Sequence, residues 1–219
     1  MAYHARMAES ETDEGESAGR GLFVVVDGID GCGKSTQAAR LADALGVEPE
    51  LRLREPGSTA LGEGLRELLL SRELEIPPAV ETLLFAAARR QLLEERVAPA
   101  LAAGRTVVCE RFNPSTYAYQ AVAGELDEGE VLDLLDGWAG APAPDLVVLL
   151  DLPVELAAAR RGAAGDRIED KGAAFQARVA EGYRRWAERD PRAVLVDASG
   201  EADEVHAALL REVERVRDR

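Results

Sequence analysis

Short runs of hydrophobic residues alternate along the chain with longer segments in which apolar residues recur at helical spacing. The clearest runs lie at 22–26, 106–109 and 146–150, and weaker ones lie at 51–53 and 193–196. Continuous apolar runs of this length are typical of strands that are buried on both faces of a parallel sheet. The pattern therefore predicts five strands.

The segments between these runs have the periodicity of amphipathic helices. Pro99 lies inside the third of the predicted helices and should kink or interrupt it. Strands that alternate with helices favour an α/β fold in which helices cover both faces of a parallel sheet. The predicted helices are 38–45, 61–70, 79–103, 116–123, 130–138, 154–161, 170–189 and 203–216.

The first 20 residues show no such periodicity and are rich in Glu, Ser, Gly and Ala. We therefore predict a disordered tail at 1–20 and a single domain at 21–219. No apolar stretch approaches the length of a membrane span, and the N-terminus lacks the apolar core of a signal peptide. The two cysteines, Cys32 and Cys109, suggest no disulfide framework, so we expect a cytoplasmic protein.

The chain of 219 residues carries a formal net charge of −15. This charge argues against non-specific binding to nucleic acid or to an anionic membrane, because both need a basic face. A small polyanionic substrate is still compatible with it, provided that positive charge is concentrated locally. The basic residues must therefore be considered one by one.

A glycine-rich sequence joins the first strand to the first helix. Residues 28–35, Gly-Ile-Asp-Gly-Cys-Gly-Lys-Ser, fit the pattern G-x-x-x-x-G-K-[ST] of a phosphate-binding loop. Its glycines allow the backbone N–H groups to point at phosphate oxygens beside a helix N-terminus. Lys34 would neutralise the β- and γ-phosphates of a nucleotide, and the Ser35 hydroxyl would ligate Mg²⁺. A strand–turn–helix with chance glycines is the alternative, but the strand and helix are the context that this motif requires.

Glu110 and Arg111 follow the strand at 106–109. Ligands of open α/β sheets bind at the carboxyl ends of the strands. Glu110 could hold Mg²⁺ directly or through water, and Arg111 could clamp a phosphoryl group. An ordinary surface ion pair at a strand end would have the same sequence.

Two further groups of residues are candidates for ligand binding. Arg54 follows the weak strand at 51–53 and could grip an acceptor phosphate, although an arginine in a turn is usually only solvated. Phe85 and Arg89 lie four residues apart and hence on one helix face. Together they could recognise a planar base that carries a carbonyl group, although Phe85 could equally belong to the core.

Arginines bracket a glycine-rich segment at 162–165. Such a segment can form a short lid, here at about 160–168, that closes over ATP, supplies charge and excludes water. The alternative is a charged helix end that is only solvated. The arginines concerned are Arg160, Arg161 and Arg167.

Five segments, in the same order along the chain, resemble the motifs of thymidylate kinases: 28–36, 54–57, 85–92, 110–120 and 166–169. The resemblance extends from about Leu22 to the end. It implies a P-loop NTPase-type three-layer α/β/α fold with a short lid, usually in a homodimer. It also implies transfer of the ATP γ-phosphoryl group to dTMP in the presence of Mg²⁺, which gives dTDP and ADP for dTTP synthesis. No nucleic acid or membrane partner is implied.

The resemblance also implies roles for individual residues at the dTMP site. Asp30 would contact the deoxyribose 3′-hydroxyl, Phe85 would stack on thymine, and Arg89 would donate to its ring carbonyl. Tyr119 would crowd out a ribose 2′-hydroxyl. The full set of implied substrate contacts is Asp30, Arg54, Phe85, Arg89, Arg111, Ser115, Thr116, Tyr119 and Gln120.

The implied ATP site consists of the phosphate-binding loop and one lid arginine. Ser35 and Glu110 would be the metal ligands. The implied ATP contacts are Gly28, Ile29, Asp30, Gly31, Cys32, Gly33, Lys34, Ser35, Thr36 and Arg167, and the implied catalytic residues are Lys34, Arg111, Arg160, Arg161 and Arg167.

The chain departs from the family pattern at four positions. Glu110 replaces the usual aspartate and is one methylene longer, which favours a water-bridged contact to the metal. Ser58 replaces a glycine, and Val154 replaces the proline usual at the start of the lid helix. Gly31 stands where some members carry a loop arginine, and members that lack this arginine place the catalytic arginine in the lid.

Two other functions are compatible with parts of the sequence. One is a kinase for another nucleoside monophosphate or for a deoxynucleoside, which Phe85, Arg89 and Tyr119 would distinguish by the substrate that they admit. The other is a non-catalytic nucleotide-binding module, which would leave Arg54, Arg111 and Arg167 without a role.

Overall fold

Five parallel strands form one sheet, as the hydrophobic runs predict. The computed structural model describes residues 20–161 and 172–218. Within these residues the spatial order of the strands is β2-β3-β1-β4-β5, and every neighbouring pair is parallel. The strands are β1 (Phe23–Gly28), β2 (Arg52–Arg54), β3 (Val107–Glu110), β4 (Leu146–Asp151) and β5 (Ala193–Asp197).

Helices cover both faces of this sheet. α1 and α9 pack together over one face, whereas α8 packs against β4 and β5 on the sheet. The described α-helices are α1 (Lys34–Ala44), α2 (Ala60–Leu70), α3 (Pro78–Leu92), α4 (Ala98–Ala102), α5 (Asn113–Thr116), α6 (Glu128–Gly137), α7 (Val154–Arg161), α8 (Ala173–Arg189) and α9 (Ala202–Arg217). None of them is long and apolar enough to cross a membrane.

The long helix predicted at 79–103 is interrupted, as expected from Pro99. A π-helical turn, Leu93–Val97, separates α3 from α4, and Pro99 lies in the first turn of α4. A proline has no N–H to donate and clashes with the preceding turn of an α-helix, so the wider turn accommodates it.

The helix predicted at 116–123 differs from the structure in one respect. Only the short α5 is α-helical, and a second π-helical turn, Tyr117–Val122, follows it. Such turns occur frequently at functional sites because they redirect side chains. Here Tyr119 and Gln120 are both buried and both line the cavity described below.

Two predicted segments fall largely outside the described residues. The predicted tail at 1–20 is described only at Arg20, whose guanidinium donates to Asp145 at 2.6 Å. The lid predicted at about 160–168 is described only through the backbone of Arg161 and the residues before it.

The sheet order brings three strand ends together. β3 lies between β2 and β1, and Glu110 at its end is in register with Arg54 of β2 and Val26 of β1. The segments that leave these three strands therefore share one edge of the sheet. These segments contain the phosphate-binding loop, the turn after Arg54 and the Glu110-Arg111 pair.

We expect Gly182 to be essential for the packing of α8. A Cβ atom at this position would lie 2.7 Å from the Ala118 Cα atom of the π-helical turn. Gly182→Ala should therefore lower the free energy of unfolding, by about 1–3 kcal/mol. Gly137→Ala is the matched control, because a Cβ atom there meets no atom of the described residues within 4 Å. Thermal unfolding of both variants checks this, and equal midpoints would contradict it.

Candidate active site

The phosphate-binding loop has the backbone conformation that its glycines allow. Gly31 and Gly33 have φ angles of 90° and 94°, and α1 begins at Lys34 directly after them. Gly31 also has no room for a side chain, because an added Cβ atom would lie 2.2 Å from the carbonyl oxygen of Ala157 in α7. The backbone of α7 thus leaves no room for a side chain at position 31.

A buried ion cluster lies next to this loop. The Asp30 carboxylate accepts hydrogen bonds from Lys34 Nζ at 2.9 Å, from Tyr119 at 2.7 Å and from the Arg111 guanidinium. Burial alone would raise the pKa of Asp30, but the charges of Arg111 and Lys34 hold this pKa below its usual range. Asp30 is therefore an anion held between two cations.

Arg111 reaches this cluster through an unusual backbone conformation. Its φ angle is 68°, in the left-handed region that side chains rarely adopt, and its N–H donates to the Val26 carbonyl at 3.0 Å. The guanidinium lies 5.6 Å from the centre of the Tyr119 ring and donates to Ser115 Oγ at 3.3 Å. Backbone strain of this kind is common at functional sites.

Asp27 supports the same region and was not identified from the sequence. Its carboxylate is fully buried and accepts hydrogen bonds from Gly28 N, Phe112 N, Ser115 N, Ser115 Oγ and Tyr183 Oη, at distances from 2.8 to 3.1 Å. These donors come from the phosphate-binding loop, from the turn after β3 and from α8. Burial raises the pKa of Tyr183 well above its usual value, and the Asp27 charge adds to this.

The two predicted metal ligands lie side by side. Ser35 Oγ donates to Glu110 Oε1 at 2.8 Å, across the gap between α1 and the end of β3. Their oxygens are close enough to share one cation or its water shell. Among the described residues, no cluster of three or more His, Cys, Asp or Glu side chains could hold a metal alone.

A cavity of about 130 Å³ opens beside the ion cluster. Eight of the nine predicted substrate contacts line it, namely Asp30, Phe85, Arg89, Arg111, Ser115, Thr116, Tyr119 and Gln120. Glu55, Pro56, Arg66 and Leu70 complete the lining. The fold thus gathers residues from four of the five family-like segments, 28–36, 54–57, 85–92 and 110–120, around one space.

Arg89 is the most deeply buried arginine of this cavity, with 1% of its surface exposed. Its Nε donates to Glu55 Oε2 at 2.6 Å and its Nη2 donates to Thr116 Oγ1 at 3.2 Å. Burial raises the pKa of Glu55 to about 7, and the adjacent Arg89 charge opposes this rise. The Nη1 atom of Arg89 is buried and has no hydrogen-bond partner among the described residues.

Arg66 was also missed from the sequence. It donates to the Pro56 carbonyl at 3.1 Å. Burial lowers the pKa of its guanidinium, and the charges of Arg54 and Arg111 lower it further. Its position on α2 could have revealed it, because Arg66 is one turn from Gly62 and Leu69, which are the buried residues of that helix.

Arg54 is the one predicted substrate contact that does not line the cavity. Its side chain is 52% exposed and forms an ion pair with Glu63 at 3.0 Å. It nevertheless lies at the end of β2 and contributes to the positive charge around Arg66.

The predicted lid arginines are not gathered at the cavity in the described residues. Arg160 donates to the backbone carbonyl of Ala198 at 2.9 Å, in the loop after β5. The side chain of Arg161 and all of Arg167 lie outside the described residues. The catalytic role of these three residues therefore stays a prediction.

Comparison with known proteins agrees with this arrangement. A family model described as thymidylate kinase matches residues 26–209. The chain belongs to the thymidylate kinase family. A thymidylate kinase of Synechococcus sp. (strain RCC307) is 46% identical over 197 residues, which cover 85% of this chain and 92% of that protein. That of Caldanaerobacter subterraneus subsp. tengcongensis is 41% identical over 199 residues, which cover 89% and 96%.

A solved structure shows the same fold. The crystal structure of thymidylate kinase from Ehrlichia chaffeensis superposes with a TM-score of 0.71 at 27% sequence identity. The match covers 89% of this chain and 99% of that chain. The predicted P-loop NTPase-type α/β fold and the resemblance to thymidylate kinases are both confirmed.

Proposed function

We propose that the protein transfers the γ-phosphoryl group of ATP to dTMP, which gives dTDP and ADP for dTTP synthesis. The observation that carries this proposal is the cavity beside the phosphate-binding loop, in which eight of nine expected dTMP contacts meet. Family membership supports the same reaction.

The acceptor phosphate would lie where three arginines approach each other. Arg54 and Arg111 lie close enough to Arg66 for their charges to lower its pKa, so the electrostatic potential around these three arginines is positive. Arginines hold phosphates through paired hydrogen bonds. A bound phosphate would relieve the repulsion among these arginines.

The pyrimidine and sugar would occupy the remainder of the cavity. Phe85 would stack on the base, and Arg89, Thr116 and Gln120 would contact its polar edge. Asp30 would accept the deoxyribose 3′-hydroxyl. The Tyr119 ring, fixed by its hydrogen bond to Asp30, would leave no room for a ribose 2′-hydroxyl.

The chemical step needs charge neutralisation more than a strong base. The second pKa of a phosphate monoester is about 6, so the acceptor oxygen is already ionised at neutral pH. Lys34 would bind the β- and γ-phosphates, and Arg111 would lie between donor and acceptor phosphates. Both cations are held in place by Asp30 before substrate arrives, which is the preorganisation that lowers the barrier.

Mg²⁺ fits the donor set of Ser35 and Glu110. Both supply hard oxygens, and Mg²⁺ sites in kinases use one or two protein oxygens with waters and phosphates. The chemistry that Mg²⁺ would supply here is neutralisation of negative charge on the ATP phosphates. Ser35 and Glu110, which already share a hydrogen bond, would hold it.

The lid arginines Arg160, Arg161 and Arg167 would supply the remaining charge near the γ-phosphate. The closed space at Gly31 supports this assignment, because an arginine at that loop position would collide with Ala157. A cation for the γ-phosphate would then have to come from another segment.

A coupled assay with ATP, Mg²⁺ and a panel of nucleoside monophosphates tests the proposal. We expect kcat/KM for dTMP to exceed that for UMP by at least about a hundredfold, because UMP carries the 2′-hydroxyl that Tyr119 excludes. Equal rates with ribonucleotides would favour a kinase for another nucleoside monophosphate. ATP binding without any transfer would favour a non-catalytic module.

Lys34→Ala should lower kcat by about a hundredfold or more, because it removes a preorganised donor to the transferring group. Steady-state kinetics at saturating ATP and dTMP measure this. Arg215→Ala is the control, since Arg215 is an exposed cation on α9 that pairs only with Glu212 among the described residues. Near-normal turnover of Lys34→Ala would refute the role of the loop.

We further propose that the protein is a homodimer and lies in the cytoplasm. Four of the exposed large hydrophobic residues, Leu61, Leu68, Val80 and Leu83, lie on α2 and α3, which pack against each other. A second copy of the chain would bury them. The two cysteines are buried free thiols, which is compatible with a reducing compartment.

Light scattering coupled to size-exclusion chromatography tests the dimer. We expect twice the chain mass of 23.5 kDa for the unmodified protein and a monomer for Leu83→Glu, which places a charge in the apolar face. Leu195→Glu, on β5, should stay dimeric. A monomeric unmodified protein at micromolar concentration would contradict the proposal.

A further inference from the structure

We propose that Glu55 is a positioning residue, which fixes the Arg89 guanidinium and thereby makes the site prefer a carbonyl over an amino group at C4 of the pyrimidine. The inference rests on the proposed function, in which Arg89 faces the base. It assigns a role to a carboxylate that would itself not touch the substrate.

The Arg89 guanidinium is restrained from three sides. Nε donates to Glu55 at 2.6 Å, Nη2 donates to Thr116 at 3.2 Å, and one face lies 5.0 Å from the centre of the Phe112 ring. These partners follow β2, lie in α5 and follow β3, respectively, so the restraints come from separate parts of the fold. Within the part of the chain that the structure describes, Nη1 is left as the nitrogen without a partner.

Glu55 is the acidic member of these three restraints. Only 4% of its surface is exposed, and its own backbone N–H donates to the Glu110 carbonyl at 2.9 Å. The backbone of Glu55 is therefore anchored to the end of β3. A buried guanidinium needs an opposite charge nearby, and among the described residues Glu55 is the only acidic side chain recorded within ion-pair distance of Arg89.

A fixed guanidinium discriminates between pyrimidines because it can only donate hydrogen bonds. A carbonyl oxygen at C4, as in thymine, accepts one. An amino group at C4, as in cytosine, is itself a donor, so two donors would face each other in a buried site. The penalty holds only while Arg89 cannot turn away, and sites with fixed polar groups give the strongest discrimination.

Glu55→Gln and Glu55→Asp test the role by steady-state kinetics. Glu55→Gln keeps the shape but replaces the carboxyl group with an amide. Glu55→Asp keeps the carboxyl group and withdraws it by one methylene, so an acidic partner for Arg89 is retained. For both we expect KM for dTMP to rise about tenfold or more, while kcat and KM for ATP change less than about threefold. The ratio of kcat/KM for dTMP to that for dCMP should fall about tenfold.

A double-mutant cycle isolates the path through Arg89. If Glu55 acts only by holding Arg89, Glu55→Asp should raise KM for dTMP little further in an Arg89→Lys background. Glu128→Gln is the matched control, because Glu128 forms an ion pair with Arg185 on α8 and does not line the cavity. It should change none of these constants.

Two outcomes would overturn the inference. One is an unchanged KM for dTMP in a folded Glu55→Asp variant. The other is a parallel rise of both KM values, which would show a purely structural role for Glu55. If the unmodified protein does not phosphorylate dTMP, the proposed function fails instead, so the two failures are distinguishable.

Discussion

The buried carboxylate of Asp27 is the interaction on which the site depends. A carboxylate removed from water is costly unless donors surround it, and here the donors come from three elements that are distant in sequence. Because all these donors bind the same two carboxylate oxygens, they fix the distances between three elements: the phosphate-binding loop, the turn that carries Arg111, and α8. The hydrogen bonds of Asp27 are connected to the ion cluster of Asp30 through Ser115. The Ser115 hydroxyl donates to Asp27 and accepts from Arg111.

An acidic protein can still present a positive site if its cations are concentrated. The chain carries a net charge of −15, yet Lys34, Arg66 and Arg111 lie at one edge of the sheet. Asp30 keeps Lys34 and Arg111 close together when no anion is bound, because it offsets their mutual repulsion. These cations lie within a stretch of 78 residues of the sequence, and the strand order β2-β3-β1 brings the segments that carry them to one edge of the sheet.

The parts of the site that could be predicted from sequence are those with a local pattern. The phosphate-binding loop is read from eight consecutive residues, and Glu110-Arg111 from its place after a hydrophobic run. Asp27 has no such pattern, and Glu55 lies in the segment 54–57 without a predicted role, because the importance of both residues comes from partners 156 and 34 residues away. The π-helical turn at Tyr117–Val122 also escaped prediction, since its residues have the same apolar spacing as an ordinary helix.

The close approach of α7 to position 31 has a consequence for how such a chain can change during evolution. Because α7 rests directly on the loop, no side chain fits at position 31 unless the helix moves first. A single substitution there cannot give the loop its own arginine, and a functional intermediate would require a compensating shift in α7. The two segments are therefore constrained to diverge together, and the loop sequence of this enzyme is tied to a helix more than 120 residues downstream.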